Sequence, residues 1–255
     1  MTDNQASQGP ATTRDGSSGR HLLDLFGAVR IINLPNRTDR QREMLDELGR
    51  IGIAGNDRVA FHAASRFEDA ADFPTTGAPG YFHSHLSVLE EAAASGAGAV
   101  LILEDDLDFE RDFDALMPAV REALDRVGWS VFFGGALNLS SDGPVTPIER
   151  LVPETAVMGA HFIAFRGDAI GAAASYLRAM LDRPAGSPLG GPMHVDGAYS
   201  WFRRENPAFE SWIAKPFLGH QRPSRTDIHE LGWKDRIPLV RDLIALGRRL
   251  RRRIQ

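Results

Sequence analysis

Short apolar runs alternate with amphipathic segments along most of the chain. The apolar runs have the length and composition of buried strands, and they lie at 28–34 (AVRIINL), 58–64, 99–103 (AVLIL), 130–135 and 160–166. Segments with helical spacing separate them, at 41–52, 82–95, 112–127 and 168–182. Strands that alternate with helices predict an α/β fold with a mostly parallel central sheet.

The two ends of the chain and its last third do not follow this alternation. Residues 1–27 begin with a polar stretch that lacks the apolar core of a signal peptide, so we predict a disordered leader there. Residues 28–232 then form the one globular domain. Within it, the stretch 183–232 is rich in proline and glycine and is expected to wrap over the edge of the sheet.

The segment 233–255 is predicted to be a separate basic amphipathic helix. Its apolar residues recur every three or four positions, at Leu239, Leu243, Leu246, Leu250 and Ile254, and the arginines lie off that stripe. A helix of this kind binds the interface of an anionic membrane. The alternative is a C-terminal helix that docks on its own domain. We favour the membrane, because a docked helix does not require so dense an arginine cluster.

Composition narrows the class of protein. With 255 residues, 43% of them apolar, the chain can bury a substantial core, and without cysteine it forms no disulfide or thiolate metal site. Its net charge of −5 is uneven: residues 234–255 carry eight Lys or Arg and two Asp, which leaves −11 for the rest. A body of that sign disfavours nucleic-acid binding. The glycine motifs of dinucleotide and P-loop sites are also absent from the sequence.

Three consecutive carboxylates, Glu104, Asp105 and Asp106, follow the strand predicted at 99–103. Open α/β sheets bind their ligands just outside the carboxyl ends of their strands. Ligand sets made only of oxygen select Mg²⁺ or Mn²⁺, which commonly join one or two carboxylates to the phosphates of a substrate. From the spacing alone, a solvated acidic turn is an equally good interpretation.

Four segments resemble glycosyltransferase family 25, the group of bacterial lipooligosaccharide galactosyltransferases and collagen galactosyltransferases. They are VRIINLPNRTDRQ (29–41), GYFHSHLSVLEEAAASG (80–96), AVLILEDDLDF (99–109) and GAHFIAFRGDAI (159–170), in the family's order. Tyr81 stands where the family usually has a cysteine. The last third is similar only loosely, through PMHVD and GHQRPSRTDI.

The resemblance implies a GT-A-type, Rossmann-like nucleotide-sugar domain whose acidic motif holds Mn²⁺ or Mg²⁺ against the donor diphosphate. Asp106 and Asp105 are then the first and second metal ligands. Glu104 contacts the ribose or orients a neighbour. His220 is the candidate third metal ligand, with a surface histidine as the alternative.

Four further residues match binding positions of the family. Arg37 and Arg40 lie in the first βα loop, where they would contact the nucleotide or its phosphates; solvated charges, or pairing with Asp39, is the alternative. Ser84 and His85 match the family's Ser-His pair, although a single histidine is often a satisfied core residue. All four are predicted to bind the donor.

Asp196, in the segment MHVDGAYSW, resembles the Val-Asp pair of the family's C-terminal part. It is the candidate general base for inverting transfer, and a helix N-cap is the alternative.

The function implied is transfer of a hexose, with galactose favoured, from a UDP-sugar to a glycan or glycolipid hydroxyl in cell-surface polysaccharide or lipopolysaccharide synthesis. The expected location is the cytoplasm, peripheral on the inner face of the membrane. Two other classes stay open: a metal-dependent phosphohydrolase of nucleotide sugars and a non-catalytic module that binds glycan or nucleotide.

Overall fold

The structure is a computed structural model that describes residues 17–141 and 146–222. Within those ranges, a seven-stranded sheet with the order β2-β1-β3-β7-β5-β8-β6 forms the centre, and β4 and β9 form a separate pair. The strands are β1 (Ala28–Asn33), β2 (Val59–Ala63), β3 (Ala99–Glu104), β4 (Leu107–Phe109), β5 (Val131–Phe133), β6 (Ile148–Leu151), β7 (Phe162–Arg166), β8 (Ser211–Ala214) and β9 (Gly219–Gln221).

Helices cover both faces of this sheet. They are α1 (Ser17–Phe26), α2 (Thr38–Arg50), α3 (Ala78–Ala94), α4 (Phe113–Asp125), α5 (Asp168–Leu181) and α6 (Val195–Glu205). The central strand β3 is buried throughout, and its side chains alternate between two cores. Val100 and Ile102 pack with the apolar faces of α3, α5 and α6, whereas Leu101 and Leu103 pack with those of α1, α2 and α4. The domain is therefore a three-layer sandwich.

Strand directions agree with the fold class predicted from the sequence. Strands β2, β1, β3, β5 and β8 run in one direction, while β7 and β6 run in the other. The fold is thus confirmed as α/β with a mostly parallel, Rossmann-like central sheet. The register pairs Ile32 with Glu104 and Asn33 with Ala63, so β1, β2 and β3 end at the same edge of the sheet.

The leader predicted over 1–27 does not extend that far. Residues 17–26 form α1, which places Leu22 and Phe26 in the core with no exposed surface. Phe26 contacts Trp129, Phe132 and Phe162 at ring-centroid distances of 5.7, 5.7 and 6.4 Å. Burial of this apolar face outweighs the polar character of the surrounding sequence. Residues 1–16 lie outside the described ranges.

The stretch 183–232 was expected to wrap over the sheet edge, and this expectation was wrong for its described part. Strand β8 lies inside the sheet, parallel to β5 and antiparallel to β6. Strand β9 pairs with β4, directly after the acidic motif. The helix predicted over 233–255 lies outside the described residues. Among the residues that are described, no helix is long and apolar enough to cross a membrane.

We predict that Phe26→Ala lowers the free energy of unfolding by about 3–5 kcal/mol, because it leaves a cavity among three aromatic rings. Urea denaturation followed by circular dichroism measures this change. Arg20→Ala, at an exposed position of the same helix, is the matched control and should change stability by less than about 0.5 kcal/mol. Equal effects of the two substitutions would show that α1 is not part of the core.

Candidate functional site

The acidic motif is buried at the carboxyl end of the central strand. Glu104 is the last residue of β3, and Asp105 and Asp106 form the turn into β4. Their exposed fractions are only 8%, 6% and 3%. The alternative of a solvated acidic turn is therefore wrong. Buried carboxylates require hydrogen-bond donors or positive charge close to them.

Arg40 supplies the positive charge. The first turn of α2 brings its Nη1 to 2.8 Å from Asp105 Oδ1 and 3.2 Å from Asp106 Oδ2. Asn33, at the end of β1, donates from Nδ2 to the other oxygen of Asp105 at 2.8 Å. A single guanidinium nitrogen thus bridges the two aspartates that the sequence suggested as metal ligands.

Tyr81 and Gln221 complete the surroundings of the motif. The Tyr81 hydroxyl donates to Glu104 Oε1. Gln221 Nε2 lies 3.3 Å from Glu104 Oε2 and 3.4 Å from Asp106 Oδ1. Sequence reasoning missed both residues as parts of the site. The departure from the family's cysteine at position 81 was a signal for Tyr81. Gln221 lies far along the chain in a three-residue strand, and its one signal was the loose family similarity of the segment GHQRPSRTDI.

Burial controls the protonation of this cluster. It raises the pKa of Glu104 to about 8, with a further contribution from the charge of Asp106. It also raises the pKa of Asp106, against the opposing effect of Arg40, and raises that of Tyr81 well above its usual range. At neutral pH the Tyr81 phenol is neutral and Glu104 retains much of its proton.

Two cavities meet at this cluster. The first, of about 190 Å³, lies at the ends of β1, β2 and β3 and reaches the start of α3. The second, of about 700 Å³, lies against the segment 153–160 and the first half of α6. Tyr81, Glu104 and Asp106 line both cavities and form the wall that they share.

Asp196 lines the second cavity together with Glu104 and Asp106. It belongs to the first turn of α6, but the N-cap position is His194. Its Oδ1 accepts a hydrogen bond from the Gly197 amide at 2.8 Å, and its Oδ2 accepts one from the Gly159 amide at 3.0 Å. The carboxylate is thereby held in a fixed orientation at the cavity wall.

Ser84 and His85 lie in the core behind the first cavity, and neither is among the described residues that line it. Ser84 Oγ accepts from the Ser65 amide at 2.9 Å and donates to the Gly80 carbonyl at 2.6 Å. His85 Nδ1 is 3.1 Å from the Tyr199 hydroxyl, and burial lowers the pKa of His85 to about 3. Ser84 fixes the segment at Ser65, which does line the cavity, and His85 is a neutral core residue that packs against Tyr81.

Arg37 forms a bidentate ion pair with Asp39: its Nε is 3.0 Å from Oδ1 and its Nη2 is 2.9 Å from Oδ2. Pairing with Asp39 was the alternative to donor binding in the sequence analysis. Arg40 and Arg66 are the arginines among the described residues that line the first cavity. Arg66 is exposed and was not predicted from the sequence.

His220 does not approach the two aspartates. Its Nδ1 is 2.7 Å from Glu110 Oε1, and it pairs across β4 and β9 with Asp108. Neighbouring residues of a strand point to opposite faces, so β9 directs Gln221 rather than His220 to the carboxylates.

The residues of the motif do not fit a divalent cation in this arrangement. Arg40 lies between Asp105 and Asp106, and a second cation there would be repelled by the guanidinium. Within residues 17–141 and 146–222, no group of three or more His, Asp or Glu side chains is arranged to hold a metal. The predicted ligand set of Asp105, Asp106 and His220 is not assembled.

We predict that Glu104→Gln stabilises the fold at pH 8 more than at pH 5. The raised pKa means that the folded state keeps the Glu104 proton up to about pH 8, whereas the unfolded chain releases it near 4.5. The contribution of the neutral group is therefore complete below pH 4.5 and is lost as the pH rises towards 8, by at most about 1.4 kcal/mol per pH unit. Glutamine does not titrate and keeps the neutral form.

Denaturation of wild type and variant at several pH values measures this difference. Glu68→Gln, at an exposed loop position, is the control and should give a curve parallel to that of the wild type. A Glu104→Gln effect that is independent of pH would contradict the assignment.

Comparison with known proteins agrees with the motifs. No protein-family model matches the chain. A probable inactive glycosyltransferase 25 family member 3 from Bos taurus is 27% identical over 150 residues, which are 50% of this chain and 25% of the relative. An inactive glycosyltransferase 25 family member 3 from Homo sapiens is 28% identical over 129 residues, 43% of this chain and 22% of the relative. The matched part thus spans about a quarter of the length of these relatives.

Among solved structures, a glycosyltransferase involved in the glycosylation of the major capsid of PBCV-1 matches at 10% identity with a TM-score of 0.33. That match covers 73% of this chain and 93% of the other. A likeness this distant adds nothing to the two sequence matches. Those matches support the resemblance of this chain to glycosyltransferase family 25.

Proposed function

We propose that the chain is a glycosyltransferase that moves a hexose, with galactose favoured, from a UDP-sugar to a hydroxyl of a glycan or glycolipid. The observation that carries the proposal is the shared wall of Tyr81, Glu104 and Asp106 between two cavities. A transferase must hold two substrates on either side of one reacting carbon, and two cavities that meet at a polar wall satisfy this requirement.

The first cavity suits the donor. Ile32, Leu34 and Ala64 provide apolar surface, and Phe67 provides an aromatic ring on which a base can stack. Gly77, the N-cap of α3, lies at the same cavity. The positive end of this helix dipole and the nearby Arg66 stabilise a diphosphate bound there.

The second cavity suits the acceptor. Its volume of about 700 Å³ is sufficient for more than one sugar ring, and Trp201 and Ser200 offer an aromatic ring and a hydroxyl. Asp196 is the base that accepts the proton of the acceptor hydroxyl. The acceptor oxygen forms a bond to the anomeric carbon as the bond to the diphosphate oxygen breaks, and the nucleoside diphosphate leaves with the electron pair.

A non-catalytic nucleotide-binding module is the second candidate. The observation that favours it is the pairing of Arg40 with Asp105 and Asp106, which leaves these carboxylates engaged within the protein. The third class, a phosphohydrolase that uses a metal held by the same carboxylates, has less support because that ligand set is not assembled. The experiment below separates all three.

We predict that the protein releases UDP from a UDP-hexose only when a glycan acceptor is present, and that Asp196→Asn lowers the turnover about 100-fold or more. Removal of a general base has an effect of this size on turnover, while donor affinity changes little. A panel of UDP-sugars and acceptor glycans, assayed for UDP release and for the glycosylated product, measures both quantities.

Asp168→Asn is the matched control, because Asp168 is also an acidic residue in the first turn of a helix but lies outside both cavities. It should keep full turnover. Nucleotide cleavage without acceptor would favour the phosphohydrolase, and donor binding without cleavage would favour the non-catalytic module. Unchanged turnover in Asp196→Asn would reduce Asp196 to a structural role.

The proposal also includes a cytoplasmic location at an anionic membrane surface, contacted by the basic segment 233–255. Its excess of positive charge and its apolar stripe support this partner.

We predict that the full chain sediments with anionic vesicles, is released as salt is raised, and is held poorly by neutral vesicles. Deletion of residues 237–255 should abolish sedimentation but keep activity on a small soluble acceptor. If the truncated chain still sediments with anionic vesicles, another part of the protein contacts the membrane. If the truncated chain is unfolded, residues 237–255 belong to the core of the domain.

A further inference from the structure

Arg40 occupies the position that the sequence motif suggests for a divalent cation. The family resemblance implies that Asp105 and Asp106 would hold a metal ion. Here one nitrogen of the Arg40 guanidinium lies against both of these carboxylates, at 2.8 Å from Asp105 and 3.2 Å from Asp106. Arg40 is itself 7% exposed, so this ion pair lies in a region of weak solvent screening.

The surroundings of the motif are built from hydrogen-bond donors. The second oxygen of Asp105 accepts from Asn33. Gln221 donates towards Asp106, and both Gln221 and Tyr81 donate to Glu104. To bind a metal, these carboxylates would have to give up the hydrogen bonds that they accept from the protein. The metal ion would also have to lose part of its hydration shell, which Mg²⁺ does reluctantly. Breaking a buried ion pair is strongly unfavourable, because it leaves a charge without its partner.

Arg40 also belongs to the lining of the first cavity. The two aspartates hold its guanidinium in one orientation, much as second-layer groups hold a catalytic or binding side chain. Arg66 and the start of α3 add positive potential at the same cavity. The acidic motif therefore positions an arginine at the edge of the donor cavity.

We propose that Arg40 replaces the divalent cation at this site, so that a nucleoside diphosphate binds in the first cavity without added metal. The proposal rests on the function proposed above, because it concerns the same donor cavity. It gives Asp105 and Asp106 the role of positioning residues that act through Arg40. It assigns the contacts to the diphosphate to Arg40 and Arg66.

Isothermal titration of the full-length protein with UDP tests this proposal. In excess EDTA, UDP should bind with a Kd within about 3-fold of that measured with Mn²⁺, since no metal takes part. Arg40→Gln should raise the Kd in EDTA at least about 10-fold, the effect expected for a lost charge-assisted contact. Added Mn²⁺ should restore part of the binding to this variant, because the substitution leaves Asp105 and Asp106 available to a metal.

Arg42→Gln is the matched control. Arg42 lies two residues away on the exposed side of α2 and outside both cavities, so its substitution should leave the Kd unchanged. Circular dichroism checks the folding of each variant. If Arg40→Gln is unfolded, Arg40→Lys keeps the positive charge, and the comparison of EDTA with Mn²⁺ on the wild type still decides the question.

Two failures are distinct. Binding of UDP to the wild type only with Mn²⁺ would overturn the replacement of the metal by Arg40 and leave the proposed transferase intact. Absence of UDP binding under both conditions would overturn the donor cavity and the proposed function with it. Unchanged binding of UDP to folded Arg40→Gln in EDTA would also overturn the role of Arg40.

Discussion

Burial of three adjacent carboxylates is the constraint on which the rest of this site depends. Carboxyl groups that are removed from water at the end of one strand are stable only when the fold brings donors to each of them. The donors come from four elements that are remote in sequence: Asn33 in β1, Arg40 in α2, Tyr81 in α3 and Gln221 in β9. Satisfying the motif therefore fixes the positions of these elements relative to the central strand.

The parallel strands and the reversed strand β7 contribute to different cavities of the site. The parallel strands β2, β1 and β3 end together and create the first cavity beyond their edge. The reversed strand β7 runs away from that edge, and the chain before it, at 153–160, forms a wall of the second cavity. Helix α3 crosses between the two, so that Tyr81 faces both cavities. A change of strand direction next to β3 is what allows two cavities to share one wall.

The strong local patterns allowed the strands β1 to β3, β5 and β7, the helices α2 to α5 and the fold class to be predicted from the sequence. These elements are long or consist of continuous apolar runs, and their signals do not depend on distant contacts. The acidic motif was placed at the correct edge for the same reason. The three-residue strand β5 was recognised because it lies within the apolar run 130–135. Strands β8 and β9, with four and three residues, carry too little pattern to be recognised alone, since partners elsewhere in the chain define them.

The partners of the site residues were harder to predict than the residues themselves. The sequence predicts that Arg40 binds the donor. In the structure its guanidinium forms a hydrogen bond to Asp105, which lies 65 positions further along the chain. His85 was also assigned to the ligand. Residues four positions apart share a helix face, so Tyr81 and His85 lie one turn from each other with their rings in edge-to-face contact, and only Tyr81 reaches the cavity. The contact between Tyr81 and His85 can be predicted from their spacing along the helix. The ion pair of Arg40 with Asp105 can be seen only in the tertiary structure.

The short pair of β4 and β9 has a consequence for the wall of the second cavity. Arg222, the residue after β9, is held by Asp108 in β4 and by Glu43 in α2, and it lines the second cavity. Gln221, one residue earlier, lies 3.3 Å from Glu104 and 3.4 Å from Asp106. One short strand thus connects the acidic motif at the end of the central strand to the outer wall of the larger cavity, so that a displacement of β9 would change both at once.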